Sequence, residues 1–165
     1  MVEIRRATTQ DANAINEIYN YYVQNSVCTF HLEDVTTEER IDWLNRHSDN
    51  HPVVVLIENS QIRGWASLSP YRERPAYANT VETSVYIHHE HHGKGYGKAL
   101  LQELIALATR AGHHTILGGM EASQTASIRL HEAAGFVKVS HTKEVGYKFG
   151  QWLDTVFYQL MLEGN

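Results

Sequence analysis

Three glycines at alternate positions, Gly93, Gly95 and Gly97, separate two segments of different pattern. Residues 81–87 before them are rich in β-branched and aromatic types, which favour a strand. Residues 98–110 after them carry apolar side chains at helical spacing. Because the first amides of a helix lack internal partners and bear positive partial charge, a glycine loop at this point can bind a phosphate or pyrophosphate. The pattern predicts a strand, an anion-binding loop and a helix.

Two common phosphate loops do not fit these residues. A Walker A loop needs a glycine five positions before its Gly-Lys-Ser/Thr, but position 92 is His and Gly97-Lys98 is followed by Ala99. A Gly-x-Gly-x-x-Gly dinucleotide fingerprint that begins at Gly93 would need glycine where Lys98 stands. A different kind of phosphate loop is therefore expected.

The loop resembles the acetyl-CoA loop of the GCN5-related N-acetyltransferases (GNAT family), whose pattern is Arg/Gln-x-x-Gly-x-Gly/Ala, except that its first residue is His. The resemblance implies that acetyl-CoA is the cosubstrate and that this loop holds its pyrophosphate. His92 replaces the family's Arg or Gln, and we expect Lys94 or Lys98 to supply the missing charge contact. The cofactor-binding residues expected in this loop are His92, Gly93, Lys94, Gly95, Tyr96, Gly97 and Lys98.

Residues 122–136 resemble the family's second signature, Ser-Asn-x-x-Ser followed by Leu-Tyr/His-x-x-x-Gly-Phe. Gln124 stands where relatives have an Asn that contacts the cofactor, and the resemblance implies the same contact. His131 stands where many relatives have a Tyr that protonates the departing CoA thiolate. A histidine can perform that step near neutral pH, or it can be a hydrogen-bonded core residue, and the sequence favours neither.

Three more segments, residues 71–77, 80–86 and 146–154, are similar to the phosphinothricin acetyltransferase branch of the family. That branch acetylates the α-amine of phosphinothricin, methionine sulfoximine, methionine sulfone and related amino acids. The resemblance covers nearly the whole chain and implies a GNAT-like α/β (α+β) fold, a central mixed, twisted sheet flanked by helices. Phe149 is a departure, because the branch often has His at that position.

The resemblance implies that Glu82, on the strand before the loop, is the general base. The chemistry agrees, because an α-ammonium cannot attack a thioester until it loses a proton, which a carboxylate can accept directly or through one water. The alternative is a solvated strand glutamate. On the same strand, Val85, Tyr86 and Ile87 are implied to pair with the pantetheine arm and polarise the thioester carbonyl, although their side chains would equally suit a core.

Arg72 and Arg74 flank Glu73 in a loop before this strand. A guanidinium is a natural clamp for a substrate carboxylate, and in the branch this loop lies over the amino-acid site. The alternative is two exposed charges that pair with Glu73. The expected substrate-binding residues are Phe30, Arg72, Glu73, Arg74, Glu82, Thr83 and Ser84, with Trp152 lining the rest of the pocket.

Four histidines precede the glycines, at positions 88, 89, 91 and 92. They do not form His-Glu-x-x-His, and adjacent loop histidines seldom point at one ion without further Asp, Glu or Cys ligands, so no metal is expected. Cys28 lies outside the cofactor motif and no nucleophile–base pair is visible. Direct transfer within a ternary complex is therefore expected.

The elements that carry these residues mix strands and helices along the chain, which favours an α/β or α+β class with one central sheet. Thr36-x-x-Glu39 is a capping box that predicts a helix start, and Ser123 is the expected cap of a helix that Gly135 stops. Predicted strands cover 2–7, 53–58, 62–69, 81–87, 115–120, 136–140 and 155–162, with an extended piece at 28–31 and a loop at 145–152. Predicted helices begin after residues 11, 36, 97 and 123.

With 165 residues, 42% of them apolar and 20% charged, the chain is expected to form one domain over residues 1–165. A net charge of −5 gives no footprint for nucleic acid or for an anionic membrane, so neither partner is expected. Cys28 is the single cysteine and the N-terminus has no apolar signal region, which predicts a cytoplasmic location. Relatives are commonly homodimers, and the resemblance implies a homodimer here.

The leading hypothesis is an acetyl-CoA-dependent N-acetyltransferase for the α-amine of a small amino acid. One alternative is an acetyltransferase for a polyamine, an aminoglycoside or a protein amine, but a cationic substrate would favour carboxylates where Arg72 and Arg74 stand. Another is a non-catalytic acyl-CoA-binding module, which the presence of Glu82 disfavours.

Overall fold

The computed structural model describes residues 1–163, whose strands form one seven-stranded sheet. The elements are β1 (Val2–Arg6), α1 (Ala12–Asn25), α2 (Thr37–Asn45), β2 (Val53–Glu58), β3 (Gln61–Pro70), β4 (Thr80–Ile87), α3 (Tyr96–Arg110), β5 (Thr115–Glu121), α4 (Thr125–Ala133), β6 (Val137–Lys148) and β7 (Gln151–Met161). The spatial strand order is β1-β2-β3-β4-β5-β7-β6, and only the β4–β5 pair is parallel. This arrangement confirms the predicted central mixed sheet.

The continuous apolar run of β2 is buried on both faces of the sheet. Val54 and Leu56 belong to a core whose helical side chains come mainly from α3. Val53 and Val55 belong to a second core built from α1 and α2. Helices therefore cover both faces, as a strand that is apolar at every position requires. No helix within residues 1–163 is both long enough and apolar enough to cross a membrane.

The two central strands diverge part of the way along their length. β4 and β5 are paired only from Thr80↔Thr115 to Thr83↔Gly118. Beyond that point β4 stays paired with β3 up to Ile87, while β5 stays paired with β7 up to Glu121. Since successive backbone groups in a strand face alternate neighbours, residues 84–87 present amides and carbonyls to the gap without a strand partner. The sheet thus opens a cleft at its centre.

The N-terminal caps of α2 and α4 differ in their agreement with the sequence prediction. The Thr36 hydroxyl accepts a hydrogen bond from the Glu39 amide at 3.1 Å, and the Glu39 carboxylate accepts one from the Thr36 amide at 2.8 Å, so the capping box is confirmed. Ser123 does not cap α4, because its hydroxyl donates to the Glu121 carboxylate instead. Gln124 takes the N-cap position without a side-chain hydrogen bond to the helix.

The β6–β7 hairpin is longer than the sequence indicated, and the predicted loop at 145–152 is wrong. Tyr147 pairs with Trp152, and the turn between the strands is only Phe149 and Gly150, with φ of 52° and 73°. Irregular pairing between residues 138 and 140 and between 142 and 146 interrupts the alternation that would have indicated a strand. The extended piece predicted at 28–31 is also wrong, because that segment is irregular.

Candidate active site

A cleft of about 410 Å³ lies where β4 and β5 diverge, between the N-terminal ends of α3 and α4. Predicted site residues that line it are Thr83, Ser84, Val85, Tyr86, Ile87, His92, Gly93, Gly95, Tyr96, Gly97, Lys98, Gln124 and His131. Predicted site residues outside its lining are Phe30, Arg72, Glu73, Arg74, Glu82 and Lys94. The fold therefore brings together all the predicted cofactor residues except Lys94, whereas Thr83 and Ser84 are the only predicted substrate residues that line the cleft.

The glycine loop needs glycine at two positions for reasons of backbone conformation. Gly93 and Gly95 have φ of 77° and 80°, in the left-handed region, and Gly95 is the N-cap of α3. A Cβ at either position would meet no atom within 4 Å, so the loop faces open space. The amides of residues 96–98, in the first turn of α3, have no helical carbonyl to bind. This geometry suits an anionic ligand.

Gly97, which lines the cleft, also has a packing role that the sequence did not indicate. It lies inside α3, and a Cβ there would come 3.3 Å from Leu130 Cδ2 of α4. The absence of a side chain at Gly97 therefore lets α3 and α4 pack closely beside the cleft.

The basic side chains of the loop differ in whether they already have partners within the protein. Lys94 Nζ lies 3.6 Å from the Glu58 carboxylate and 3.2 Å from His91 Nδ1, so its charge is already partnered. His92 Nε2 lies 2.7 Å from the Tyr22 hydroxyl, which donates to the Ile87 carbonyl. Lys98 is exposed at the cleft. Of the two lysines expected to replace the family's Arg or Gln, Lys98 is the better placed.

The side chains of residues 85–87 are core residues on both faces of β4. Val85 and Ile87 pack against the core under α3. Tyr86 points to the opposite face, where its ring stacks on Trp65 with centroids 5.0 Å apart. Burial raises the pKa of Tyr86. The backbone of residues 85–87 faces the gap between β4 and β5. It therefore remains accessible for the predicted pairing with the pantetheine arm, although the side chains pack in the core.

Glu82 is half-buried on β4, and burial raises the pKa of its carboxyl while the charge of Arg72 opposes that shift. Because side chains alternate along a strand, Glu82 shares its side of the sheet with Ser84, which lines the cleft about 7 Å further on. Glu82 is thus at the inner end of the cleft rather than in its wall, and its environment is unlike that of a solvated strand glutamate.

His131 is almost fully buried, at 4% exposure, and its ring lines the cleft. Its Nδ1 lies 2.8 Å from the Ser127 carbonyl, to which it donates, and its Nε2 lies 3.4 Å from the Thr83 hydroxyl. Burial lowers the pKa of this imidazole. Both sequence alternatives have support, since the ring is hydrogen-bonded in the interior and also faces the cleft.

The loop before β4 carries its arginines on the surface. Arg72, Glu73 and Arg74 are exposed, and the Arg72 guanidinium lies 4.8 Å from the centroid of the Tyr71 ring. Among residues 1–163 the ion pairs do not include one from Glu73 to either arginine. The alternative in which both charges pair with Glu73 is therefore not observed.

Phe30 and Trp152 lie outside the cleft lining, on opposite faces of the β6–β7 hairpin, because Gly146 and Tyr147 are neighbours on β6 and Trp152 pairs with Tyr147. The Phe30 ring covers Gly146 so closely that a Cβ there would lie 2.6 Å from it. Trp152 is 63% exposed, with its ring 4.9 Å from that of Tyr147.

The segment that carries Phe30 is held by Lys148, which the sequence did not single out. Lys148 is 3% exposed, and its Nζ donates to the carbonyls of Ser26 at 2.7 Å and Thr29 at 2.8 Å. This buried tether brings Cys28 into the lining of the cleft. Burial raises the pKa of the Cys28 thiol, which keeps it protonated and weakly nucleophilic.

Glu121 is a second residue that sequence reasoning missed. Its buried carboxylate accepts hydrogen bonds from the Ser123 amide at 3.0 Å and from Gln124 Nε2 at 3.4 Å. It therefore fixes the β5–α4 turn and orients Gln124 at the cleft. The one available sequence signal was a carboxylate at the end of a strand, directly before a turn.

A splayed sheet with a glycine loop at the head of α3 is the arrangement expected from the resemblance to an acyltransferase family, and comparisons with known proteins specify that family. The GNAT acetyltransferase domain model matches residues 4–157. The chain is 42% identical to the L-methionine sulfoximine/L-methionine sulfone acetyltransferase of Salmonella typhimurium, over 97% of this chain and 94% of the relative. The chain belongs to the GNAT acetyltransferase family.

Solved structures agree with this assignment. An acetyltransferase from Salmonella typhimurium, with its cofactor acetyl-CoA, superposes with a TM-score of 0.94 at 41% identity, over 99% of this chain and 95% of that one. A phosphinothricin acetyltransferase from Sinorhizobium meliloti, in complex with acetyl-CoA, gives a TM-score of 0.94 at 36% identity, over 98% and 88% of the two chains. The fold predicted from the resemblance is confirmed.

Proposed function

We propose that this enzyme transfers the acetyl group of acetyl-CoA to the α-amine of a small amino acid of the phosphinothricin, L-methionine sulfoximine or L-methionine sulfone type. The observation that carries the proposal is the half-buried Glu82 at the inner end of a cleft whose mouth is the glycine loop of α3. The Salmonella relative named for methionine sulfoximine and sulfone supports the substrate class.

The cofactor would occupy the cleft along its length. Free amides at the start of α3, with Gly93 and Gly95 open to solvent, would hold the pyrophosphate, and Lys98 would add a positive charge. The unpaired backbone edge of residues 84–87 would bind the pantetheine arm, and one amide there would stabilise the developing oxyanion. Gln124, held by Glu121, would contact the cofactor from α4. This chemistry calls for no metal ion.

In the proposed reaction, Glu82 takes a proton from the substrate ammonium, directly or through one water. The free amine attacks the thioester carbonyl, a C–N bond forms, the nitrogen loses its second proton to solvent, the C–S bond breaks, and CoA leaves as a thiolate. Transfer is direct within a ternary complex, because the Cys28 thiol is held protonated. Burial raises the pKa of Glu82 and so makes it a stronger base than an exposed glutamate.

His131 is the proposed donor of a proton to the thiolate. Its Nδ1–H is committed to the Ser127 carbonyl, so Nε2, which faces the Thr83 hydroxyl in the cleft, is the nitrogen that would carry the transferred proton. Burial lowers the pKa of His131, which makes its protonated form a strong acid. A thiolate developing nearby would favour that protonated form.

The substrate would lie beyond Glu82, under the loop that carries Arg72 and Arg74. The charge of Arg72 reaches Glu82 electrostatically, which supports the loop's position over the same site. We assign the clamp on the substrate carboxylate to Arg72 and Arg74, with Glu73 between them. Thr83 and Ser84 would border the reacting amine from β4, and Phe30 would form the outer wall.

A thiol-release assay tests this assignment. Purified protein with acetyl-CoA should release CoA when phosphinothricin, L-methionine sulfoximine or L-methionine sulfone is added, and much less when spermidine or an aminoglycoside replaces them. Mass spectrometry should show one acetyl group on the α-amine. Release with the polyamine alone would establish the amine alternative, and no release with any amine would favour a non-catalytic module.

We also propose a cytoplasmic homodimer formed through the β6–β7 hairpin. The edge strand β6 and its partner expose an apolar surface, which we call the hairpin face: Val137, Val139, Val145, Tyr147, Phe149 and Trp152, each 52–67% exposed. Exposed apolar side chains on an edge strand favour association with a second copy. A cytoplasmic location fits the free thiol of Cys28.

A further inference from the structure

The turn between β4 and the glycine loop carries a cluster of side chains that the proposed reaction does not use. His88, His89 and Glu90 each offer one ligand atom, and these three atoms lie within 4.8 Å of one another. His88 is half-buried, while His89 and Glu90 are exposed, so an ion can reach the cluster from solvent. We propose that this turn is a binding site for a divalent transition-metal ion of the zinc type, outside the acetyl-CoA cleft.

Contacts within the turn and with α1 hold the two imidazoles in place. His88 Nδ1 accepts a hydrogen bond from the Glu90 amide at 3.2 Å. The His89 ring stacks on Tyr21, with centroids 3.7 Å apart and 5° between the planes, and its other neighbour is the His88 ring at 4.6 Å. Side chains that are already ordered lose less conformational entropy when they bind an ion.

The donor set matches the chemistry of zinc. Two imidazole nitrogens and one carboxylate oxygen provide three of four tetrahedral positions, and water can take the fourth. At Zn–N and Zn–O distances of about 2.0–2.2 Å, neighbouring donors lie about 3.3 Å apart, so the cluster would have to contract, mainly by rotation of the exposed Glu90 side chain toward the two imidazoles. Arg63 and Glu17, both within electrostatic range of His88, have opposite charges, which leaves Glu90 as the main source of negative charge.

The two remaining histidines of the segment have other partners. His91 Nδ1 lies 3.2 Å from Lys94 Nζ, and His92 Nε2 lies 2.7 Å from the Tyr22 hydroxyl. The expectation of no metal rested on adjacent histidines that lack a further acidic ligand at suitable spacing. Glu90 supplies that ligand once the turn folds, which the spacing alone did not reveal.

Calorimetric titration of the full chain with zinc chloride, in a buffer without chelating groups, tests the site. We expect one ion per chain with a dissociation constant in the micromolar range. His89→Ala and Glu90→Gln should each weaken binding at least tenfold, whereas His114→Ala, which removes an exposed histidine elsewhere, should leave it unchanged. Circular dichroism melts would establish that each variant is folded.

Two outcomes would overturn the assignment. One is a parent protein that binds no zinc at millimolar concentration. The other is parental affinity in the folded His89→Ala/Glu90→Gln double variant, which would place the ion elsewhere. The titration needs neither acetyl-CoA nor turnover, so its result is independent of the proposed acetyl transfer.

Discussion

The side chains of Glu82 and His131 lie on opposite faces of the sheet at β4. Burial raises the pKa of Glu82 and lowers that of His131, and both shifts favour the neutral form. Glu82 lies on the face that carries α1, since its neighbour Val81 belongs to the core under α3. His131 reaches Thr83 from α4 on the other face. In the proposed reaction, a base and an acid on opposite sides of one strand would serve the amine and the thiolate separately, with the thioester bound between them at the strand's free edge.

A residue-scale prediction concerns Arg74. If its guanidinium binds the substrate carboxylate, Arg74→Ala should raise KM for the free amino acid by the factor that corresponds to one lost hydrogen bond between charged groups, about 1.5–3 kcal/mol. KM for the corresponding amide should scarcely change. Arg110→Ala, which removes an exposed arginine at the end of α3, is the control. Equal losses for acid and amide would mean that Arg74 only supports the loop.

At the scale of elements, the glycine loop depends on a backbone conformation that a β-branched residue rarely adopts. Gly95→Val should greatly weaken acetyl-CoA binding, because Gly95 has φ of 80° and begins α3 at the cleft. Gly112→Val is a matched control, since Gly112 has φ of 83°, an open Cβ position, and lies beyond the other end of α3. If calorimetry showed an equal fall in acetyl-CoA affinity in both folded variants, the glycine loop would not be the pyrophosphate-binding site.

The Lys148 tether is a second element-scale feature. Lys148→Met should lower the free energy of unfolding by about 1.5–3 kcal/mol, because two carbonyls lose a charged donor. It should also raise KM for the amino acid, since residues 26–30 would form the outer wall of the proposed amino-acid site. Lys143→Met, an exposed position on the same strand, should change neither quantity. Urea denaturation and steady-state kinetics would show whether Lys148 has this role.

The sequence predicted elements well where local patterns were strong, and failed where tertiary contacts decide. The Thr36 capping box and the strand–glycine–helix unit rest on neighbouring residues, so both were predictable. The 145–152 loop was predicted wrongly, because Gly146 and Gly150 suggest a loop, whereas β6 and β7 pair on both sides of a two-residue turn. Lys148 and Glu121 escaped notice for the same reason, since their partners are set by the fold.

At the scale of the whole molecule, one side of the sheet ends in a strand that is exposed along most of its length. The proposed dimer would cover this hairpin face. Val139→Lys, or Trp152→Glu on the neighbouring strand, should shift the protein toward monomer in light scattering coupled to size exclusion. The Val2→Lys variant, at an exposed residue on the opposite edge strand, should not. A parent protein that is monomeric at micromolar concentration would rule out the dimer.

Glu82→Gln is the sharpest test of whether Glu82 removes the proton from the substrate amine, because glutamine keeps the side chain's size without its basicity. We expect kcat to fall by about 10²–10⁴-fold while calorimetry shows unchanged acetyl-CoA affinity. Because burial raises the pKa of Glu82, the parent's kcat/KM should decline as pH falls through a value above the 4.5 of an ordinary glutamate, and this limb should vanish in the variant. Turnover within a fewfold of the parent, with the acid limb intact, would mean that Glu82 is not the base.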